Sequence, residues 1–201
     1  MDFTKVKENL QKLGYAVSCF ETKEAAAAYL KEQIKGKKVG IGGSATVQEM
    51  GLYDLLAEQN EMHWHARPQN GNTPDETRML ARNTDIYISS VNGLAETGEI
   101  VNIDGTCNRI SEILYGHEKV YLIVGENKLA PDYEKALYRA RNIAAPMNAK
   151  RLNRKTPCAV KGDRCYNCSS PERICRGLSV LWTCPGGSQY EIILVGESLG
   201  Y

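Results

Sequence analysis

The run Lys119-Val120-Tyr121-Leu122-Ile123-Val124-Gly125 is apolar with no alternation. A strand with one wet face reads apolar and polar in turn, so a continuously apolar one must be covered on both faces, the condition of a strand inside a parallel sheet. Parallel strands need crossovers, and the chain supplies them as amphipathic helices. Val6, Leu10 and Leu13 share one face of a first helix that stops at Gly14, and Tyr15 to Phe20 reads as a strand. Thr22 caps an Ala-rich helix through Ile34, and Gly36 ends it before a strand at Val39. These segments read as a βαβ unit. Further along come a helix through about Ala57, a short strand at Met62–His65, a helix opened by Thr73-Pro74-Asp75-Glu76 and a strand over Asp85–Val91. A helix from Asp132 stops at about Ala145, before Pro146, and late strands fall at Leu178–Thr183 and Tyr190–Val195. The expectation is a single α/β domain over residues 1–201, an open, mostly parallel sheet with flanking helices. Ligands of such sheets sit at the carboxyl ends of the strands.

Three polar segments follow predicted strands and converge on that edge. The first is Gly42-Gly43-Ser44-Ala45-Thr46, where glycines without a Cβ let backbone amides face outward at a helix start, an anion site in outline. Thr46 with Glu49 three residues on has the capping-box pattern. The same residues also read as a plain βα turn with no ligand. The second segment, Asn92 to Asn108, crowds Glu96, Glu99, Asn102, Asp104 and Asn108 next to Arg109. Amides and an arginine orient a polar ligand, and Glu96 or Glu99 can serve as base or nucleophile. A hydrogen-bonded loop scaffold explains the crowding equally well. The third is Glu126-Asn127-Lys128. The ligand-binding candidates are thus Gly42, Gly43, Ser44, Thr46, Asn92, Asn102, Asn108, Arg109, Asn127 and Lys128, and the catalytic candidates are Glu96 and Glu99.

Cys158, Cys165, Cys168 and Cys175 are separated by six, two and six intervening residues within a loop-rich stretch, residues 156–176. The central Cys-x-x-Cys can chelate one centre from a tight turn, and the outer thiolates can close the set. Ligand type does not separate zinc from an iron–sulfur cluster here. Cys107 and Cys184 are expected nearby and Cys19 in the core. His63 and His65 share one face of their strand but lack a third ligand, so they read as polar strand-end histidines, and His117 reads as a solvated loop residue.

A net charge of +1 with both signs mixed argues against a nucleic-acid or acidic-membrane partner. No run is long enough to span a membrane, and the N-terminus starts a helix without a signal-like apolar stretch. An odd number of cysteines, seven with four bunched, fits a metal site in a reducing cytoplasm better than a disulfide framework.

Val39-Gly40-Ile41-Gly42-Gly43-Ser44-Ala45-Thr46, Asn92 to Arg109, Gly125-Glu126-Asn127-Lys128, Arg141-Asn142-Ile143-Ala144-Ala145-Pro146 with Asn148, Ser170-Pro171-Glu172-Arg173-Ile174-Cys175 and the closing Leu199-Gly200-Tyr201 together resemble the LUD (lactate utilisation) domain family, in its subset with a four-cysteine group. The resemblance runs nearly end to end. It implies a fold similar to glucosamine-6-phosphate deaminase, ribose-5-phosphate isomerase and the CoA transferases, and a small anionic ligand. It also implies an accessory part in oxidation of L-lactate to pyruvate beside iron–sulfur subunits. The fold neighbours imply an alternative: a stand-alone enzyme or binding module for a phosphorylated sugar, a CoA ester or another small anion. Homo-oligomerisation through a sheet edge is left open by the sequence.

Overall fold

The computed structural model describes residues 2–201. In chain order its first elements are α1 (Thr4–Lys12), β1 (Ala16–Phe20), α2 (Lys23–Gln33), β2 (Lys38–Ile41), α3 (Ala45–Glu49), α4 (Leu52–Ala57), β3 (Glu61–Trp64), α5 (Pro74–Ala81) and β4 (Ile86–Ser90). The rest are β5 (Gly93–Ala95), β6 (Ile100–Asp104), α6 (Asn108–Leu114), β7 (Lys119–Gly125), β8 (Leu129–Ala130), α7 (Tyr133–Arg139), α8 (Ala145–Arg151), α9 (Pro157–Lys161), β9 (Gly177–Leu181) and β10 (Gln189–Val195).

Six strands form one sheet in the order β1-β10-β7-β4-β2-β3, with every pairing parallel. The apolar run that demanded two covers is β7, and it has them. Tyr121 and Ile123 face Leu30 of α2, Val47 of α3 and Leu56 of α4, while Val120, Leu122 and Val124 face Leu10 of α1 and Ile113 of α6.

The first three segments do not pair as a local βαβ unit. β1 lies at the sheet edge, and β10, β7 and β4 separate it from β2. The central places go to the strands with the most apolar surface to hide, β7 and β10, whereas Ala16, Ser18 and Cys19 on β1 tolerate an edge. Cys19 is accordingly exposed rather than in the core.

Within residues 92–108 the polar segment folds as a β-hairpin turned at Gly98. Leu94, Ile100 and Val101 are apolar enough to form strands, and Gly98, at φ +110°, makes the turn between them. β5 and β6 pair antiparallel within a second sheet, β8-β5-β6-β9, which also claims the late strand at 177–181. The helix expected through Ala57 breaks at Gly51, φ +62°, into α3 and α4.

Pro146 does not end its helix. Residues Ala140–Ala144 wind as a π turn in which the Ala145 amide donates to the Ala140 carbonyl, and Pro146 enters α8 just after it. The wider turn has already displaced the hydrogen-bond ladder where proline has no N–H to give. His117 is 3% exposed rather than solvated, with Nδ1 2.8 Å from the Thr84 carbonyl, Nε2 3.1 Å from Glu112 and its ring stacked on Tyr87. No helix among the described residues is long and apolar enough to cross a membrane.

Candidate functional site

β2, β4 and β7 end side by side, bringing Gly42–Thr46, Ser90–Asn92 and Glu126–Lys128 to one edge of the sheet. The Gly42 amide extends the ladder by donating to Ile88, 3.0 Å. Its missing side chain is a packing requirement: a Cβ there would stand 2.9 Å from Arg109 Cγ, Ser89 Oγ and Tyr87 Oη. Gly43 opens towards the next layer, where a Cβ would meet only the His65 ring at 3.4 Å.

Ser44, not Thr46, caps α3. Its Oγ accepts the Val47 amide at 3.2 Å and shares a 2.7 Å hydrogen bond with Ser90 Oγ. Thr46, two residues past the cap, lies inside the first turn and cannot cap it. Its Oγ1 instead accepts Lys128 Nζ at 2.6 Å and donates to the Leu199 carbonyl at 3.3 Å, while Glu49 takes the Gly200 amide at 2.8 Å. Gly200, at φ +61°, closes over this pair; a Cβ there would lie 2.8 Å from Thr46 Oγ1.

Around these residues opens a cleft of about 580 Å³. Its wall carries the cations Arg78, Arg109, Lys128, Arg151, Arg154, Arg173 and Arg176, with His65, Asn92, Asn108 and Asn148 between them. Only Asp104 and Glu172 oppose them, and both are engaged by backbone. Asp104 accepts the amides of Gly105, Arg109 and Ile110 at the start of α6, and Glu172 accepts the amide of Lys155. Arg78 is also paired with Asp75 and Lys128 is close to neutral, so the positive field of the cleft comes from the other five arginines.

Arg109 shows how the field is built. Its guanidinium is buried and donates to the Ser90 carbonyl at 3.1 Å, Asn102 Oδ1 at 2.6 Å, Asn92 Oδ1 at 3.1 Å and the Ile103 carbonyl at 2.7 Å. All four acceptors are neutral. The side chain ties β4 to β6, and its charge stands behind the cleft without a carboxylate to cancel it. Lys128 is 2% exposed at the cleft floor. Burial, then Arg139 and Arg109, pull its pKa down to about 7, with Glu49 opposing. Burial and then Arg78 also hold His65 below its ordinary value, against Asp104 and Asp75.

Of the sequence candidates, the cleft gathers Gly43, Ser44, Thr46, Asn92, Asn108, Arg109 and Lys128. Gly42 and Asn102 lie behind its wall, Asn102 fully buried with Nδ2 unpartnered. Asn127 holds the closing segment, accepting the Leu199 amide and donating to the Gly200 carbonyl. Glu96 and Glu99 lie elsewhere, at the β5–β6 hairpin against α1: Glu96 pairs with Lys5, and Glu99 accepts from Thr97. Residues that the sequence reading passed over are His65, Arg78, Arg151, Arg154, Arg173 and Arg176. The last four lie between residues 151 and 176, among other cations that do not line the cleft, so no spacing singled them out.

The four clustered cysteines do meet. Cys158, Cys165, Cys168 and Cys175 line one small cavity of about 10 Å³ with Arg141, Thr156 and Arg173. Among the described residues, no three His, Cys, Asp or Glu side chains stand in metal-holding geometry as they are placed. Burial works against the Cys165 thiolate, but the Asn167 amide at 3.3 Å and the charges of Arg141 and Arg173 outweigh it and lower the thiol's pKa. Cys107, at φ +64°, lies against Gly177, two residues beyond Cys175, and Cys184 packs at the α1–β1 corner by Gly14; neither lines the cysteine cavity. His63 pairs with Glu61 while His65 enters the cleft. Arg173, Ile174 and Cys175 line both cavities.

The family model described as LUD domain matches residues 3–195. A crystal structure of a DUF162 family protein from Deinococcus radiodurans superposes with a TM-score of 0.55 at 10% sequence identity, covering 97% of this chain and 99% of that one. That likeness is one of fold. No curated protein matches the chain.

Proposed function

The chain belongs to the LUD domain family, and from that premise we propose that it is an accessory subunit of L-lactate utilisation whose own task is to bind a small polyanionic metabolite in the cleft. The observation that carries the binding role is the charge balance of the wall, six arginines, of which Arg78 is paired with Asp75, against Asp104 and Glu172, with the near-neutral amine of Lys128 at the floor. The lactate role and the iron–sulfur partner subunits rest on the family alone. The volume favours a ligand larger than lactate, since about 580 Å³ is the size of site that encloses a metabolite of many heavy atoms. A three-carbon acid leaves most of it empty. That supports a second reading, a stand-alone enzyme or binding module for a sugar phosphate or a CoA ester.

Thermal unfolding across lactate, inorganic phosphate, sugar phosphates and CoA tests the cleft. A ligand at one hundred times its dissociation constant adds roughly 2.7 kcal/mol, and the largest shift is expected with a phosphorylated compound. No shift with any anion refutes the binding role. The lactate role fails if reconstituted lactate oxidation with the iron–sulfur subunits runs equally well without this chain.

We also place a metal centre, zinc or iron–sulfur, on Cys158, Cys165, Cys168 and Cys175. Its support is the donor set: four thiols on one cavity, one of them with a lowered pKa. Such a centre would clip residues 156–176 together, provided the sulfurs draw closer than they now stand.

A further inference from the structure

We propose that Lys128 is a nucleophilic amine that forms an imine with an aldehyde or ketone bearing a phosphate or carboxylate group. The proposal rests on the cleft being an anion site and names what that site takes. Three observations carry it.

The first is the position of Lys128, which reaches the floor of the cleft from the end of β7 yet is almost fully buried. A lysine kept out of water is ordinarily paired with a carboxylate. Lys128 has no such partner among the described residues; its hydrogen bond is to a neutral hydroxyl, Thr46 Oγ1 at 2.6 Å.

The second is the direction of that bond. Thr46 gives its proton to the Leu199 carbonyl, so its oxygen can only accept from the amine. Once Lys128 is neutral, Thr46 holds one of its N–H bonds and leaves the nitrogen lone pair uncommitted. The third is the surrounding charge. Arg109 and Arg139 are held by neutral acceptors and disfavour a further cation beside them. The free amine is therefore maintained near neutral pH, as its lowered pKa agrees. Lys128 offers roughly a thousandfold more unprotonated amine at neutral pH than an ordinary lysine.

A carbonyl compound drawn in by the arginines meets this nitrogen. The lone pair forms the C–N bond, a proton passes from nitrogen to the former carbonyl oxygen, and the carbinolamine loses water to leave the imine. No oxidant or reductant is needed.

The test incubates the full-length protein with pyruvate or dihydroxyacetone phosphate in the presence of cyanoborohydride, which reduces an imine to a stable secondary amine. Peptide mapping of the wild-type protein, which needs no variant, is expected to find the adduct on Lys128 and to find it suppressed by inorganic phosphate. Lys128→Arg should lose it. Adducts spread over surface lysines, or none with either probe, overturn the proposal. Phosphate protection against heat, measured in parallel, separates the two ideas. Protection without an adduct refutes the imine alone, and neither protection nor adduct refutes both.

Discussion

Lys128 Nζ lies 2.6 Å from Thr46 Oγ1, joining the end of β7 to the first turn of α3 beneath the cleft. The contact places a titratable amine at a structural joint.

The joint should make stability depend on pH. Between pH 7 and 10.5 Lys128 is largely neutral when folded and charged when unfolded, so the unfolded state binds the extra proton and stability rises with pH across that window. The gain is up to roughly 1.4 kcal/mol per pH unit, and it is lost progressively as pH falls from 10.5 back to 7, below which Lys128 is charged in both states. Tyr15 and Tyr190, both pushed up by burial, reverse the trend once free tyrosine begins to ionise near pH 10. Urea unfolding over pH 7 to 10 should show the slope in the wild type and its absence in Lys128→Met. Equal slopes in the two proteins would mean that the amine keeps an ordinary pKa. Thr46→Val should cost about 1–3 kcal/mol, and more below pH 7, where the amine left without an acceptor is charged.

The paired glycines should separate by role. Gly42→Ala drives a methyl to within 2.9 Å of Arg109, Ser89 and Tyr87, an overpacking that costs about 1–3 kcal/mol of stability. Gly43→Val meets only His65 and should fold nearly normally while losing the thermal shift with phosphate, because the branched side chain occupies the mouth of the anion site. Urea midpoints and phosphate shifts on both variants check this. If Gly43→Val loses folding and binding in equal measure, the turn is structural.

Strand placement was only partly legible. The β7 run could be read because the need for two covers is local, written into seven consecutive residues. Strand order was not, since β1 is parallel to every candidate neighbour and only competition with the more apolar β10 sends it to the edge. The same distinction governs the site. Gly43, Ser44, Asn92 and Lys128 were legible because they directly follow strands that share an edge. Glu96 and Glu99 were misleading because closeness in sequence across a hairpin tip carries them away from that edge, towards α1. Arg151, Arg154, Arg173 and Arg176 reach the cleft only through the π turn and the folding of the cysteine segment, neither of which leaves a local pattern.

The cysteine group should declare its metal on careful handling. Protein purified anaerobically is expected to carry stoichiometric metal, colourless if zinc and brown with broad visible absorbance if iron–sulfur. Because ligation is coupled to folding, its removal should raise protease cleavage between Thr156 and Arg176. Absence of either metal, with unchanged protease resistance in Cys165→Ser combined with Cys168→Ser, would dismiss the metal centre.

Arg173, Ile174 and Cys175 belong to the walls of both cavities. A metal that drew the four sulfurs together, as proposed above, would pull on Arg173, a residue that also lines the proposed anion cleft. Were both proposed sites occupied, they would share a coupling free energy whose form thermodynamic reciprocity fixes: by whatever factor the thiol state changed anion affinity, a bound anion would change the equilibrium of the thiols. The occupancy of one cavity would then read out the chemistry in the other through three consecutive residues of chain.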